Sequence, residues 1–261
     1  MAPQAAGAPA RPPLRRRLLA EAVGTALLVA VVVGSGIAAQ TLSPDDVGLQ
    51  LLENSLTTVF GLGVLILLFG PVSGAHFNPV VSAVDWLLGR RAGTGLPGAD
   101  VAAYAVAQIG GGIAGAWLAN AMFDLPVWQV ATTERITTGH LIGEVVATAG
   151  LIALIFALAR SGRAALSAAA VASYIGAAYW FTSSTSFANP AVTIGRIFSD
   201  TFAGIAPASA PGYVLAQVIG AGLGAGLVLA LYPDAGESAG EAVVPTEAPV
   251  HAALDRPARH S

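Results

Sequence analysis

Two stretches, Ser73-Gly74-Ala75-His76-Phe77-Asn78-Pro79-Val80-Val81 and Thr185-Ser186-Phe187-Ala188-Asn189-Pro190-Ala191-Val192, repeat each other. Each sets an Asn-Pro pair between the end of a long apolar segment and the start of a short one. Asn is a preferred N-cap, and Pro suits the first helical position, where no amide hydrogen is required. Each pair therefore predicts a helix start, capped by a side chain whose amide also carries two donors.

The rest of the chain is built for a lipid environment. Of 261 residues, 55% are hydrophobic and only 10% charged, with a mean hydropathy of +0.70. Soluble domains carry roughly 25% charged residues, so this chain lacks the polar residues to cover a soluble surface. Its 31 glycines suit closely packed membrane helices. Cysteine is absent, which removes disulfides, thiolate metal sites and thiol nucleophiles. Lysine is absent too, which removes Schiff-base and phosphate-loop lysines. No basic patch points to nucleic acid, and no metal-ligand spacing or nucleophile–base pair points to an enzyme. No cofactor is expected.

Six segments reach the ~20 apolar residues that a span needs: roughly 17–39, 49–70, 100–123, 138–159, 166–185 and 211–232. Two shorter apolar pieces, about 78–89 and 189–199, cover only ~15–18 Å as helices and are expected to be re-entrant half-helices. The fold class is thus an all-α membrane protein of six transmembrane helices plus two re-entrant half-helices. Arg15–Arg17 before the first apolar run suggest a signal peptide, but the run is too long and lacks a clear cleavage site, so an uncleaved span is expected. Residues 1–13 and 233–261 are expected to be disordered tails around a membrane domain at 14–232.

With six spans, Arg11, Arg15, Arg16, Arg17, Arg90, Arg91, Arg160, Arg163, Arg256 and Arg259 share the side of the termini. Only Arg135 and Arg196 fall opposite. The arginine bias predicts cytoplasmic termini in a multi-pass protein of the inner (plasma) membrane.

The halves, about 14–123 and 138–232, also match each other. Glu21-x-x-Gly-Thr25, Asn78-Pro79 and Tyr104-x-x-x-Gln108 recur as Glu144-x-x-x-Thr148, Asn189-Pro190 and Tyr213-x-x-x-Gln217. Three spans per copy is odd, so the copies insert upside down relative to each other, with a solute path on the pseudo-two-fold axis. The half-helix N-termini, with Asn78, Pro79, Val80, Asn189, Pro190 and Ala191, then form the pore centre. Their partial positive charge and amide donors favour a neutral oxygen and oppose cations. Glu21 and Glu144 are read either as proton relays or as acceptors for the amides of their own re-entrant loops. The matched positions favour the second role. His76 is expected to be a hydrogen-bonded packing or gating element, and Gln108 and Gln217 are expected to be loop anchors.

The segments SGAHFNPVV and FANPAV, the six spans and the inverted halves resemble the aquaporin and glycerol-facilitator (major intrinsic protein) family. The resemblance covers nearly everything but the tails. It implies a right-handed helical barrel in the lipid bilayer, a homotetramer with one pore per subunit, and passive conduction of water or small neutral solutes. Where most members carry a filter Arg, three residues past the second Asn, this chain has Val192. By alignment with the family, Ala177, Ser186 and Phe60 complete the selectivity filter, with Thr58 as the alternative to Phe60. Such a filter implies a wide constriction of low polarity. Arg196, one turn beyond Val192, is a candidate for the outer mouth, or else snorkels or pairs with Asp200. The stretch NPAVTIGRIFSDTFAGIAPAS is similar to the family branch associated with arsenic resistance, which implies passage of undissociated or methylated arsenicals. Two other classes stay open: a proton-coupled secondary transporter using Glu21 and Glu144, and a non-conducting structural membrane protein.

Overall fold

The computed structural model describes residues 11–233. Six long helices, α1 (Leu14–Leu42), α2 (Val47–Ser73), α4 (Gly98–Met122), α5 (Thr138–Arg160), α6 (Ser167–Phe181) and α8 (Ala210–Leu231), surround two short ones, α3 (Pro79–Gly89) and α7 (Pro190–Gly195). The six are long and apolar enough to cross a membrane, counting the 3₁₀ turn Ala164–Leu166 that leads into α6. A 3₁₀ turn over Arg196–Phe198 extends α7. Most of the expected tails lie outside the described residues. At the edge of the first, Arg11 donates to the Gly95 carbonyl at 2.8 Å and Pro13 caps α1, so residues 11–13 are placed against the body of the protein.

The two halves are assembled the same way. In the first, α4 lies against α1; in the second, α8 lies against α5. Small-xxx-small pairs bring these backbones together. A Cβ added to Gly111 or Gly115 would fall 2.2 or 2.1 Å from the carbonyl oxygens of Ala22 and Ala26. The matched Gly220 and Gly224 would meet those of Val145 and Ala149, each at 2.5 Å. A bare Cα is therefore a packing requirement at all four positions.

Between α2 and α3, and again between α6 and α7, the chain leaves helical geometry inside the protein. Ala75 and Phe77 have φ of 48° and 51°; their counterparts Ser186 and Ala188 both have φ of 49°. Gly74, at φ 90°, is matched by Thr185 at φ 59°. Left-handed backbone costs a residue with a side chain ~1–2 kcal/mol, so something must hold these loops in place. Such irregular backbone survives at membrane depth only where protein or a watery cavity satisfies it.

Candidate functional site: two capped half-helices facing one pore

The loops are held by the two buried carboxylates. Glu21 accepts the Ser73 hydroxyl at 2.6 Å, the His76 and Phe77 amides at 3.0 and 2.7 Å, and the Gln108 side-chain amide at 2.7 Å. Glu144 accepts the Phe187 and Ala188 amides, each at 2.9 Å, and the Gln217 side-chain amide at 2.6 Å. Both carboxylates are fully buried, and neither borders the pore cavity. Gln108 and Gln217 also donate to the Ser82 and Thr193 hydroxyls, one turn into each half-helix. Each half thus ties its outer helices, its strained loop and its half-helix to one carboxylate.

That anchoring aims the half-helices at each other. Asn78 accepts the Val80 amide at 3.1 Å, and Asn189 accepts those of Ala191 and Val192 at 2.9 and 3.3 Å. Both side chains therefore cap their helices through oxygen, as the Asn-Pro spacing predicts. Their nitrogens reach across the pseudo-two-fold axis. Asn78 Nδ2 donates to the Ala188 carbonyl and Asn189 Nδ2 to the Phe77 carbonyl, each at 2.8 Å. This cross-bonding takes one N–H from each amide and leaves one for the lumen, where the sequence suggests two.

A narrow cavity of about 70 Å³ runs past this junction. Asn78, Asn189 and His76 supply polar atoms, while Val81 and Val192, three residues past each Asn, both border it. The rest of the wall is mainly aliphatic, with Leu62, Ile66, Leu151 and Ile155 among its residues. The His76 ring sits 3.0 Å from the Ser82 hydroxyl through Nδ1 and packs beside Tyr104. Of the six residues expected at the pore centre, only the two asparagines line the cavity. Pro79 and Pro190 occupy the first helical turn, and Val80 and Ala191 are buried in packing.

The expected filter residues divide. Ser186 and Val192 border the cavity, and the Ser186 hydroxyl is buried without a protein partner. Phe60 is corrected: it is 70% exposed on the outer surface, and Thr58 faces the cavity instead. Ala177 is corrected as well, since it is exposed and the cavity-facing positions of α6 are Val171, Ile175 and Tyr179. Tyr179 Oη lies 3.2 Å from Thr58 Oγ1, so a phenol stands where the Ala177 methyl was expected and the alternative Thr58 hydroxyl where the Phe60 ring was. In both helices the correction is two residues, about 200° of rotation.

Arg196 is 3% exposed and borders the cavity. The expected alternatives for it do not occur. The Asp200 carboxylate accepts the amide and hydroxyl of Thr132, and Arg196 neither pairs with it nor snorkels outward. Arg135, which only the arginine count singled out in the sequence, approaches Arg196 from the loop before α5: the two guanidinium carbons lie 5.6 and 3.4 Å from the Phe187 ring centroid. At the opposite end, Arg17 bonds Asp100 at 2.7 Å, pinning the start of α1 to the start of α4.

Two polar caps facing each other within a membrane-spanning bundle, beside a narrow cavity, point to a channel rather than a catalytic pocket. The sequence profile of the family described as "Major intrinsic protein" matches residues 10–186, ending just before the second Asn-Pro pair. The chain is 50% identical over 207 residues to aquaglyceroporin AqpS of Rhizobium meliloti (strain 1021), covering 79% of this chain and 86% of that protein. Its fold matches the X-ray structure of the aquaglyceroporin from Plasmodium falciparum with a TM-score of 0.57 at 19% identity, covering 83% of this chain and 96% of the other. The chain belongs to the major intrinsic protein family: it is a multi-pass membrane channel, not an enzyme.

Proposed function

We propose that this protein passively conducts small uncharged solutes: water, glycerol-like polyols, and undissociated or methylated arsenicals. The observation that carries the reading is the cavity wall. Two asparagine amides offer one donor each at the centre, uncharged Val81 and Val192 flank them, and the rest is mainly aliphatic. A neutral hydroxylated solute can exchange water hydrogen bonds for those donors and for the unpaired Ser186 hydroxyl while its carbon face slides along the aliphatic wall. The relative named as an aquaglyceroporin supports glycerol as a solute class. Val192 and the NPAVTIGRIFSDTFAGIAPAS stretch support the arsenical class.

The selectivity filter is read as Thr58, Tyr179, Ser186 and Val192, with Arg196 at the outer mouth. A proton-coupled transporter would need Glu21 or Glu144 to exchange protons with the lumen, yet neither carboxylate borders the cavity. We read the protein as a homotetramer of the plasma membrane with cytoplasmic termini; the arginine bias supports the orientation, and the family resemblance supports the assembly.

The test is stopped-flow light scattering on proteoliposomes with water, glycerol and trivalent arsenicals. Flux well above that of empty vesicles, non-saturating and indifferent to a proton gradient, is expected. Flux equal to that of empty vesicles would overturn the channel reading, and collapse without a proton gradient would favour the transporter.

A further inference from the structure

The outer end of the pore carries two guanidinium groups that the central motif does not use. Beyond the first cavity opens a second, of about 480 Å³, whose wall includes Asn54, Thr133, Arg135, Thr185, Arg196 and Asp200. Arg196 borders both cavities, so its side chain stands where one gives way to the other. It is pinned there: Nε donates to the Ala203 carbonyl, and the guanidinium stacks on Phe187 with Cζ 3.4 Å from the ring centroid. Among the described residues, its two Nη groups have no hydrogen-bond acceptor. Arg135 stands behind, bonded through Nε to the Gly204 carbonyl at 2.7 Å and through Nη2 to that of Phe202 at 2.8 Å. Asp200 is the carboxylate in this wall; it is taken up by Thr132 and forms no ion pair with either arginine.

Resting on the channel reading above, we infer that Arg196, reinforced by Arg135, is the pore's cation barrier, set one turn outside the uncharged Val192. A fixed positive charge without a carboxylate partner, in a narrow and mainly apolar passage, is poorly screened and repels any permeating cation. Stacking on an aromatic face holds the planar guanidinium in one place. The free Nη groups can meanwhile donate to the oxygen of a passing neutral solute. Charge selection and size selection thereby fall on different residues: Arg196 rejects charge, while the wall around Val192 and Tyr179 limits width.

The experiment uses the full chain in proteoliposomes and compares urea with guanidinium, a neutral and a cationic solute of nearly the same shape. The native protein is expected to pass urea on the order of 100-fold faster than guanidinium. Arg196→Met should reduce that ratio about tenfold or more, and Arg196→Lys should largely keep it. Thr185→Asp is a second route that leaves the buried arginine untouched. It places a carboxylate in the outer cavity at a left-handed position (φ 59°), which Asp tolerates well, and should shift the ratio in the same direction. Arg196→Met or Thr185→Asp vesicles that pass urea but stay as tight to guanidinium as the native protein would overturn the inference. If Arg196→Met fails to assemble, Thr185→Asp alone decides. A native protein that passes no neutral solute would overturn the channel reading itself.

Discussion

Asn78 donates to the Ala188 carbonyl, and Asn189 donates to the Phe77 carbonyl, both at 2.8 Å. Each cap is therefore also a cross-link between the two repeats, made to a carbonyl held in place by the other half's strained loop. Substituting Asn78→Ala removes a cap worth ~1 kcal/mol and a cross-repeat hydrogen bond worth ~1 kcal/mol. A lower melting temperature by tryptophan fluorescence in detergent is expected, together with at least tenfold lower glycerol flux. Native flux from Asn78→Ala would show that the amide does not serve the lumen.

Glu21 and Glu144 hold the loops against left-handed strain, so their loss should act on stability before conduction. Glu21→Ala leaves the His76 and Phe77 amides without acceptors. At ~1–3 kcal/mol for each stranded donor, the variant should unfold or run as an aggregate on size-exclusion chromatography. Glu144→Ala should behave alike. A well-folded Glu21→Ala protein that lost only proton-dependent uptake would instead assign the carboxylate to a relay.

The glycine contacts separate two kinds of position on one helix. Gly111→Ala drives a methyl into the Ala22 carbonyl and should cost about 1–3 kcal/mol. A Cβ at neighbouring Gly110 meets nothing within 4 Å, so Gly110→Ala should be neutral or stabilise by up to ~1 kcal/mol. Gly220 and Gly222 repeat the contrast in α8. Thermal melts of the four variants check it; equal losses for Gly110→Ala and Gly111→Ala would contradict the interface.

Val192→Arg places a long cationic side chain against the cavity wall. The flux of glycerol should fall several-fold more than that of water. An equal fall for both solutes would argue that Val192 does not set the width.

The chain has no cysteine, so mercurials should leave conduction unchanged. Strong inhibition reversed by a thiol reagent would contradict this, and flux before and after mercuric chloride is the measurement.

Much of this architecture is legible in the residues alone. The paired Asn-Pro stretches mark two helix starts because capping and proline placement are local chemistry, decided within a few residues. The lengths of the apolar runs separate spans from half-helices because the bilayer sets a fixed ruler. The recurrence of Glu, Tyr and Gln at matched places marks the inverted halves, and in the structure these residues converge on the loops. The fifth span ends at Phe181 rather than near 185 because the chain must already be extended to reach its carboxylate anchor.

Helix rotation is another matter. In α2, Leu62, Leu65 and Ile66 turn inward while Val64, Leu67 and Leu68 turn outward, and nothing in their chemistry distinguishes them. Lipid is as apolar as the core, so a membrane helix lacks the polar stripe that would reveal its inner face. Backbone fit decides instead: Gly176 sits where a Cβ would fall 2.3 Å from a Val59 methyl, which locks α6 against α2. That contact brings Thr58 and Tyr179 to the pore and sends Phe60 and Ala177 away. The sequence by itself determined the two capped half-helices, the six spans and their inverted pairing, all written in local or periodic chemistry. Only the tertiary structure decided which side of each helix faces the cavity and that Arg196 borders both cavities, because close packing between equally apolar surfaces leaves no mark in one dimension.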